Sequence, residues 1–268
     1  GRLSNTGDNT LVVCVNNLPA KSEVPWPGGW HHDGGILRDV RLISTYPFYI
    51  DDVRVVARPA ASTGQGECAL EVRIACEGPP PASPASVRAE IFDAGGARVA
   101  AGASESTRIE AGEPVSVALR MAVPGAKPWS PDTPVLYRAE LQLLVDKPVD
   151  SAAVRIGFRE VAVDGVRLLL NGEPLYLMGF NRHEDTPKAG MASDDEQVRA
   201  DLSRIKQAGG NFLRVHYPHD PYELDVCDEL GLLVMAEAPI GSWDGVDQEH
   251  LVAANHYVRE LIRRDKNH

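Results

Sequence analysis

Asn211-Phe212-Leu213-Arg214-Val215-His216-Tyr217-Pro218-His219-Asp220-Pro221 runs from a short apolar stretch through a cluster of ionisable residues to an N-cap followed by proline. That is the order of a strand, a strand-end loop and a helix start. The same order recurs on both sides. Upstream, Leu175 to Phe180 is a short apolar run, and Ser193 with Glu196 three residues later has the form of a capping box. Val198, Leu202 and Ile205 share one face of the helix it opens, which Gly209 and Gly210 stop. Downstream, Leu224, Cys227 and Leu230 form the buried stripe of a second helix ending at Gly231, and Leu232 to Ala238 is a third strand. A third helix runs from about Gln248 to Arg264, with Leu251, Val258, Leu261 and Ile262 apolar. Alternation of this kind implies a parallel sheet with right-handed crossovers. A doubly wound sheet and an eight-stranded barrel both fit. A barrel takes about 250 residues, so the 94 residues from Leu175 to His268 would hold three of its eight units.

Before Gly157 the pattern is different. Leu11 to Val15, Ile36 to Ile43, Val53 to Val56, Leu70 to Ile74, Val87 to Phe92, Val115 to Met121 and Val135 to Val145 are short, β-branched and partly alternating, as strands are. Turn chemistry such as Asp93-Ala94-Gly95-Gly96 and Gly78-Pro79-Pro80-Pro81 separates them, which predicts antiparallel sandwiches. No repeat of fixed period stands out.

Composition narrows the partners. A net charge of −11 with no Lys/Arg stripe argues against a nucleic-acid footprint. No apolar run reaches the ~18 residues of a membrane-spanning helix, and Gly1 to Thr10 carry no signal-peptide pattern, which leaves localisation open. Cys14, Cys68, Cys76 and Cys227 show neither CxxC nor His at metal-ligand spacing, so a zinc site is not expected. Cys68 and Cys76 would pair only in an exported protein; buried free thiols are the preferred reading.

In either parallel architecture ligands bind at the carboxyl ends of the strands. The first end reads Asn181-Arg182-His183-Glu184-Asp185, which on its own is also what a solvated loop looks like. The second carries Arg214 and His216, which two residues apart on a strand point to one side, although a lone His is more often structural. The third carries Glu237 inside an apolar strand, a carboxylate that needs a partner such as Arg214 or His183. Three adjacent ends presenting ionisable side chains to one rim suit a polyhydroxylated ligand.

The segments Leu168 to Pro174, Gly179-Phe180-Asn181-Arg182-His183-Glu184, His216-Tyr217-Pro218-His219 and Cys227-Asp228-Glu229-Leu230-Gly231-Leu232 together closely resemble glycoside hydrolase family 2, which includes β-galactosidases, β-glucuronidases and β-mannosidases. Gly34-Gly35-Ile36-Leu37-Arg38-Asp39-Val40 resembles the end of its sugar-binding jelly roll. Trp129 to Tyr137 and Ile156-Gly157-Phe158-Arg159 resemble the end of its immunoglobulin-like domain. The resemblance implies a multidomain β plus α/β chain. Residues 1–48 would close a jelly-roll sandwich, 49–158 would form an immunoglobulin-like sandwich, and 159–268 would be the N-terminal part of a TIM (β/α)8 barrel.

It further implies a retaining exo-β-glycosidase acting by double displacement on a β-linked carbohydrate. Two carboxyl groups about 5–5.5 Å apart would act as nucleophile and acid/base. Arg264 to His268 resembles the segment before barrel strand four, so both catalytic glutamates are expected beyond His268, and the 268 residues alone are expected to be inactive. Arg214 and Glu237 would be supporting residues, and His183, His216, Asn181, Arg182 and Asp33 would contact the sugar. No cofactor is implied, no nucleic acid or membrane partner is expected, and the longer protein could be a homo-oligomer.

Two departures bear on this. Relatives commonly place two residues between the Arg and the His-Tyr-Pro, whereas Val215 alone separates Arg214 from His216, and one residue in a strand reverses the facing. The jelly-roll Asp that reaches the sugar in glucuronidases falls on Gly29 here, which leaves Asp33 or His32 as substitutes. The magnesium ligands of some β-galactosidases fall near Gly241 and Trp243, so no metal site is supported. A catalytically silent carbohydrate-binding homologue is the alternative. A doubly wound nucleotide-binding protein lacks its Gly-rich phosphate loop.

Overall fold

A computed structural model describes residues 6–15, 34–59, 64–239 and 248–268. Seven strands form an antiparallel sandwich: β1 Phe48–Arg58, β2 Gln65–Cys76, β3 Ser86–Phe92, β4 Arg98–Ala103, β5 Val115–Pro124, β6 Tyr137–Val145 and β7 Lys147–Ile156. One sheet has the order β1-β2-β5 and the other β4-β3-β6-β7. Period-2 alternation sends Cys68, Leu70, Val72 and Ile74 of β2, Val117, Leu119, Met121 and Val123 of β5, and Ala139, Leu141 and Leu143 of β6 into one shared core. Truncating fully buried Leu70 or Leu141 to Ala would cost about 2–5 kcal/mol, because a close-packed core refills such a cavity only partly.

The same alternation decides the thiol question. Cys68 and Cys76 lie eight residues apart on one strand, roughly 26 Å at the rise of a β-strand, and both are free and buried. Burial pushes the Cys68 thiol up to about 12. Cys14 is exposed.

A small antiparallel meander follows: β8 Val161–Asp164, β9 Arg167–Leu170 and β10 Glu173–Pro174. Asn171 and Gly172 turn its second hairpin with φ of 55° and 85°, the paired positive angles that an Asn-Gly turn supplies at low strain. The parallel part then comprises β11 Gly179–Arg182, α1 Asp195–Gln207, β12 Phe212–Val215, α2 Pro221–Leu230, β13 Leu233–Ala236 and α3 Gln248–Asp265. Its sheet runs β11-β12-β13, with Asn181 opposite Arg214 and Arg214 opposite Met235. Leu213 packs on the side of α1 and α2, in a core with Val198, Leu202, Val226 and Cys227, and Val215, two residues on, is buried as well. The intervening residues, including Arg214, face the other way.

Polar contacts tie the parallel part to the sandwich. The Trp129 indole N–H donates to the Asp228 carbonyl (2.9 Å) and Lys206 Nζ to the Pro131 carbonyl (2.7 Å). Arg155 pairs with Asp225 and Glu229. Asn267 reads the β1 backbone, accepting from Val55 N–H (2.9 Å) and donating to the Val53 carbonyl (2.7 Å).

Four local expectations differ from the structure. The strands expected at 11–15 and 36–43 are not formed, and Leu11, Val12, Val40, Leu42 and Ile43 are exposed. A strand needs a pairing edge, and no described residue offers one to these stretches. The first parallel strand starts at Gly179 rather than Leu175, because β12 begins to pair only at Phe212. Asn211 instead binds the backbone before it, accepting from Met178 N–H and donating to the Tyr176 carbonyl. The cap of α1 is Asp194, whose carboxylate accepts from Gln197 N–H at 2.8 Å, while Ser193 donates to the Glu184 carbonyl. The stop is as expected, with Gly209 at φ +87°. Asp220, Pro221 and left-handed Gly231 bound α2 as the residues predict.

Candidate active site

The carboxyl ends of β11, β12 and β13 lie side by side and present one polar cluster on the face away from the helices. Arg214 holds Glu237 with two parallel bonds, Nε to Oε1 at 2.9 Å and Nη2 to Oε2 at 2.7 Å. His216 Nδ1 meets Glu237 Oε2 at 2.7 Å, and Arg214 Nη1 donates to Asn181 Oδ1 at 3.3 Å. The strand geometry accounts for the grouping. Arg214 and His216 are two apart, Asn181 is the register partner of Arg214, and the Glu237 N–H donates to the Val215 carbonyl at 3.1 Å, which extends the ladder by one step. The Arg214 guanidinium holds the Glu237 carboxyl below the usual carboxylate range, with His216 helping and desolvation opposing. Such a carboxylate stays ionised and is suited to orienting cations rather than donating a proton.

His183 is exposed beside this cluster, its ring 5.6 Å from that of Tyr217. Burial holds its imidazole below the ordinary value, opposed by Asp185 and reinforced by His219, His216 and Arg214. Tyr217 is buried, and desolvation raises its phenol to about 12. The single-residue spacing therefore leaves His216 on the Arg214 side of the strand, bound to Glu237.

Arg182 does not join the rim. Opposite Val215 in the register, it turns to the helix side, where it is buried and donates to Glu223 Oε2 at 2.5 Å. Glu223 also meets His219 Nδ1 at 2.9 Å, a pair spaced i,i+4 from the loop into α2. Asp33, His32, Gly29, Gly241 and Trp243 lie outside the described residues.

Glu184, His219 and Glu223 present donor atoms within 4.8 Å of one another. Both carboxylates already have a guanidinium, Arg38 on Glu184 and Arg182 on Glu223, so the trio is part of an ion-pair network. Sequence reasoning passed over this second network. Its one local signal was the His219–Glu223 spacing, and the Arg38–Glu184 link joins residues 146 apart.

Comparison with known proteins gives the geometry a context. The family model described as glycosyl hydrolases family 2 matches residues 48–159, and the one described as glycosyl hydrolases family 2, TIM barrel domain, matches residues 161–268. The chain is 32% identical over 277 aligned positions to a beta-galactosidase of Psychromonas ingrahamii, covering 98% of this chain and 26% of that protein. A beta-galactosidase of Pectobacterium atrosepticum is 31% identical, with 100% of this chain and 27% of that protein covered. Among solved structures, Bacteroides uniformis beta-glucuronidase 2, covalently bound to cyclophellitol-6-carboxylate aziridine, superposes with a TM-score of 0.84 at 28% identity, over 95% of this chain and 31% of that one. The chain thus spans about a quarter of the length of the curated relatives it matches.

Proposed function

The chain belongs to glycoside hydrolase family 2, and from that premise we propose that it supplies the first strand ends of the active-site rim in a retaining exo-β-glycosidase of the β-galactosidase or β-glucuronidase type. In this reading residues 1–48 close the sugar-binding domain, 49–158 are the immunoglobulin-like domain and 159–268 begin the catalytic barrel. The observation that carries it is the Arg214–Glu237–His216–Asn181 cluster at three adjacent parallel strand ends, where barrel enzymes place their chemistry. Arg214, locked by Glu237, presents a fixed positive charge to the rim, and a preorganised charge of this kind acts where negative charge must be oriented or stabilised.

Double displacement needs one carboxyl group as nucleophile and a second as acid, then base. In this proposal both carboxyls lie beyond His268, as the resemblance to the family implies, and Glu237, held by Arg214 and His216, is a supporting residue. A covalent complex of the Bacteroides uniformis relative supports the covalent route. His183, exposed at the rim, and Asn181 and His216 beside it offer hydrogen bonds to sugar hydroxyls.

The test compares this chain with the longer protein on aryl β-galactosides and aryl β-glucuronides. The 268 residues alone should show no turnover, and turnover by them would sink the assignment. In the longer protein Arg214→Ala and His183→Ala should each lower kcat/KM about 100-fold or more. Near wild-type kinetics in both variants would show that the site is elsewhere, and sugar binding without turnover in the unmutated protein would favour the silent homologue.

A further inference from the structure

Residues 34–47 carry no secondary structure, and within them only Leu37 and Arg38 are shielded from solvent. The Arg38 guanidinium enters the loops behind the rim. Nη2 donates to both Glu184 oxygens at 2.7 and 2.8 Å, Nε meets Asp220 Oδ2 at 2.9 Å, and Nη1 donates to the Met191 carbonyl at 3.2 Å. One side chain from far upstream therefore joins the loop after β11, the loop after β12 and the cap of α2.

Its two anionic partners depend on it. The Glu184 carboxylate is buried, and its other bond is from the Asp220 N–H at 2.9 Å. Asp220 is itself anionic and caps α2 through Tyr222 N–H. Without Arg38, a buried carboxylate would sit against a second carboxylate with no cation on either, an arrangement that a low-dielectric site resists strongly. Glu184 is also fixed through its backbone, donating its N–H to Tyr217 Oη at 3.0 Å and accepting from Ser193 Oγ at 3.0 Å. The residue before it is His183, whose ring contacts Tyr217. Whatever fixes Glu184 fixes the backbone from which His183 reaches the rim.

We infer that Arg38 is a positioning residue: through Glu184 and Asp220 it sets the loop that carries His183, so that the segment around residue 38 governs the order of the rim. The consequence for sugar contact rests on the function proposed above; the positioning itself does not. Hydrogen exchange read by mass spectrometry on the 268-residue chain tests it, with peptides from 183–193 and 216–222 as reporters and 65–76 in the sandwich as an internal reference. Arg38→Met should speed exchange in both reporters about tenfold or more, with the reference unchanged. Arg38→Lys, which keeps the charge and loses the fork, should fall between. The double variant Arg38→Met, Glu184→Gln keeps an acceptor for the Asp220 N–H without the buried charge and should recover most of the protection.

Unchanged exchange in Arg38→Met, equal acceleration in the sandwich peptide, or a double variant no better than the single would each overturn the inference. In the longer protein the same series should move kcat/KM in the same order. Inactive unmutated protein would sink the glycosidase reading and leave the exchange result standing.

Discussion

Arg182 and Arg214 stand at neighbouring positions in the register of two paired strands, and the pleat sends them to opposite faces of one sheet. Arg214 is 37% exposed and its partner Glu237 28%, whereas Arg182 is 6% exposed and its partner Glu223 1%. The two ion pairs look alike on paper, and burial separates what they do. Behind the sheet, desolvation makes each charge depend on the other, so the pair holds the loops to the helices. At the rim, water still reaches the pair, which leaves its charge open to a ligand and makes it contribute little to the fold.

The largest expected effect breaks the buried pair. Arg182→Met should destabilise the parallel part by about 3–5 kcal/mol, because Glu223 is left charged in a dry site. Cys227, which is fully buried against the same core and whose thiol burial raises, gives a second readout. It should resist alkylation in the unmutated chain at pH 8 and react quickly in the variant. Stability within 1 kcal/mol and a silent Cys227 would mean that the two faces do not differ as described.

Arg214→Ala should shift denaturant unfolding of the chain by no more than about 1 kcal/mol, as half-exposed pairs do. A loss as large as that of Arg182→Met would make Arg214 structural and undercut its role at the rim.

The smallest effects are in pH. The folded Glu237 carboxyl lies below its ordinary value of 4.5, so the folded state binds its proton less readily than the unfolded state. Its stabilisation is present above that value and is lost as pH falls through the lowered one. Glu237→Gln should therefore lower stability by a constant amount above about pH 6 and flatten the acid limb below about pH 4.5, so that the two proteins converge at low pH. His183 also lies below its ordinary value of 6.5, and for an imidazole this means that the unfolded state takes up the proton first as pH falls. His183→Gln should remove a small loss of stability on acidification just below pH 6.5, measurable by urea titration at closely spaced pH. An unchanged acid limb in both variants would show that the rim groups titrate as free side chains.

The strands legible in advance were those with one buried face. β2, β5 and β6 alternate cleanly because water lies on one side of each. β4 and β7 were harder to read, since they are the outer strands of their sheet and carry small or polar residues, as in Arg98-Val99-Ala100-Ala101-Gly102 and Pro148-Val149-Asp150-Ser151. The helix limits at Asp220-Pro221 and Gly231 were legible because caps act within a few residues. At the rim, the grouping of Arg214, His216 and Glu237 was partly visible from strand periodicity.

By itself the sequence determined the order of elements, the switch from antiparallel to parallel structure near Gly157 and the polar character of the three strand ends, since each follows from contacts between near neighbours along the chain. Tertiary structure alone decided that Arg182 meets Glu223 behind the sheet, that His216 rather than His183 shares Glu237 with Arg214, that Arg38 neutralises Glu184 146 residues away, and that Asn267 completes the edge of β1. A side chain's period fixes which face it takes relative to its own strand. The partner it meets there depends on where each strand begins to pair and on what segment packs behind it, and neither is encoded in the residues beside it.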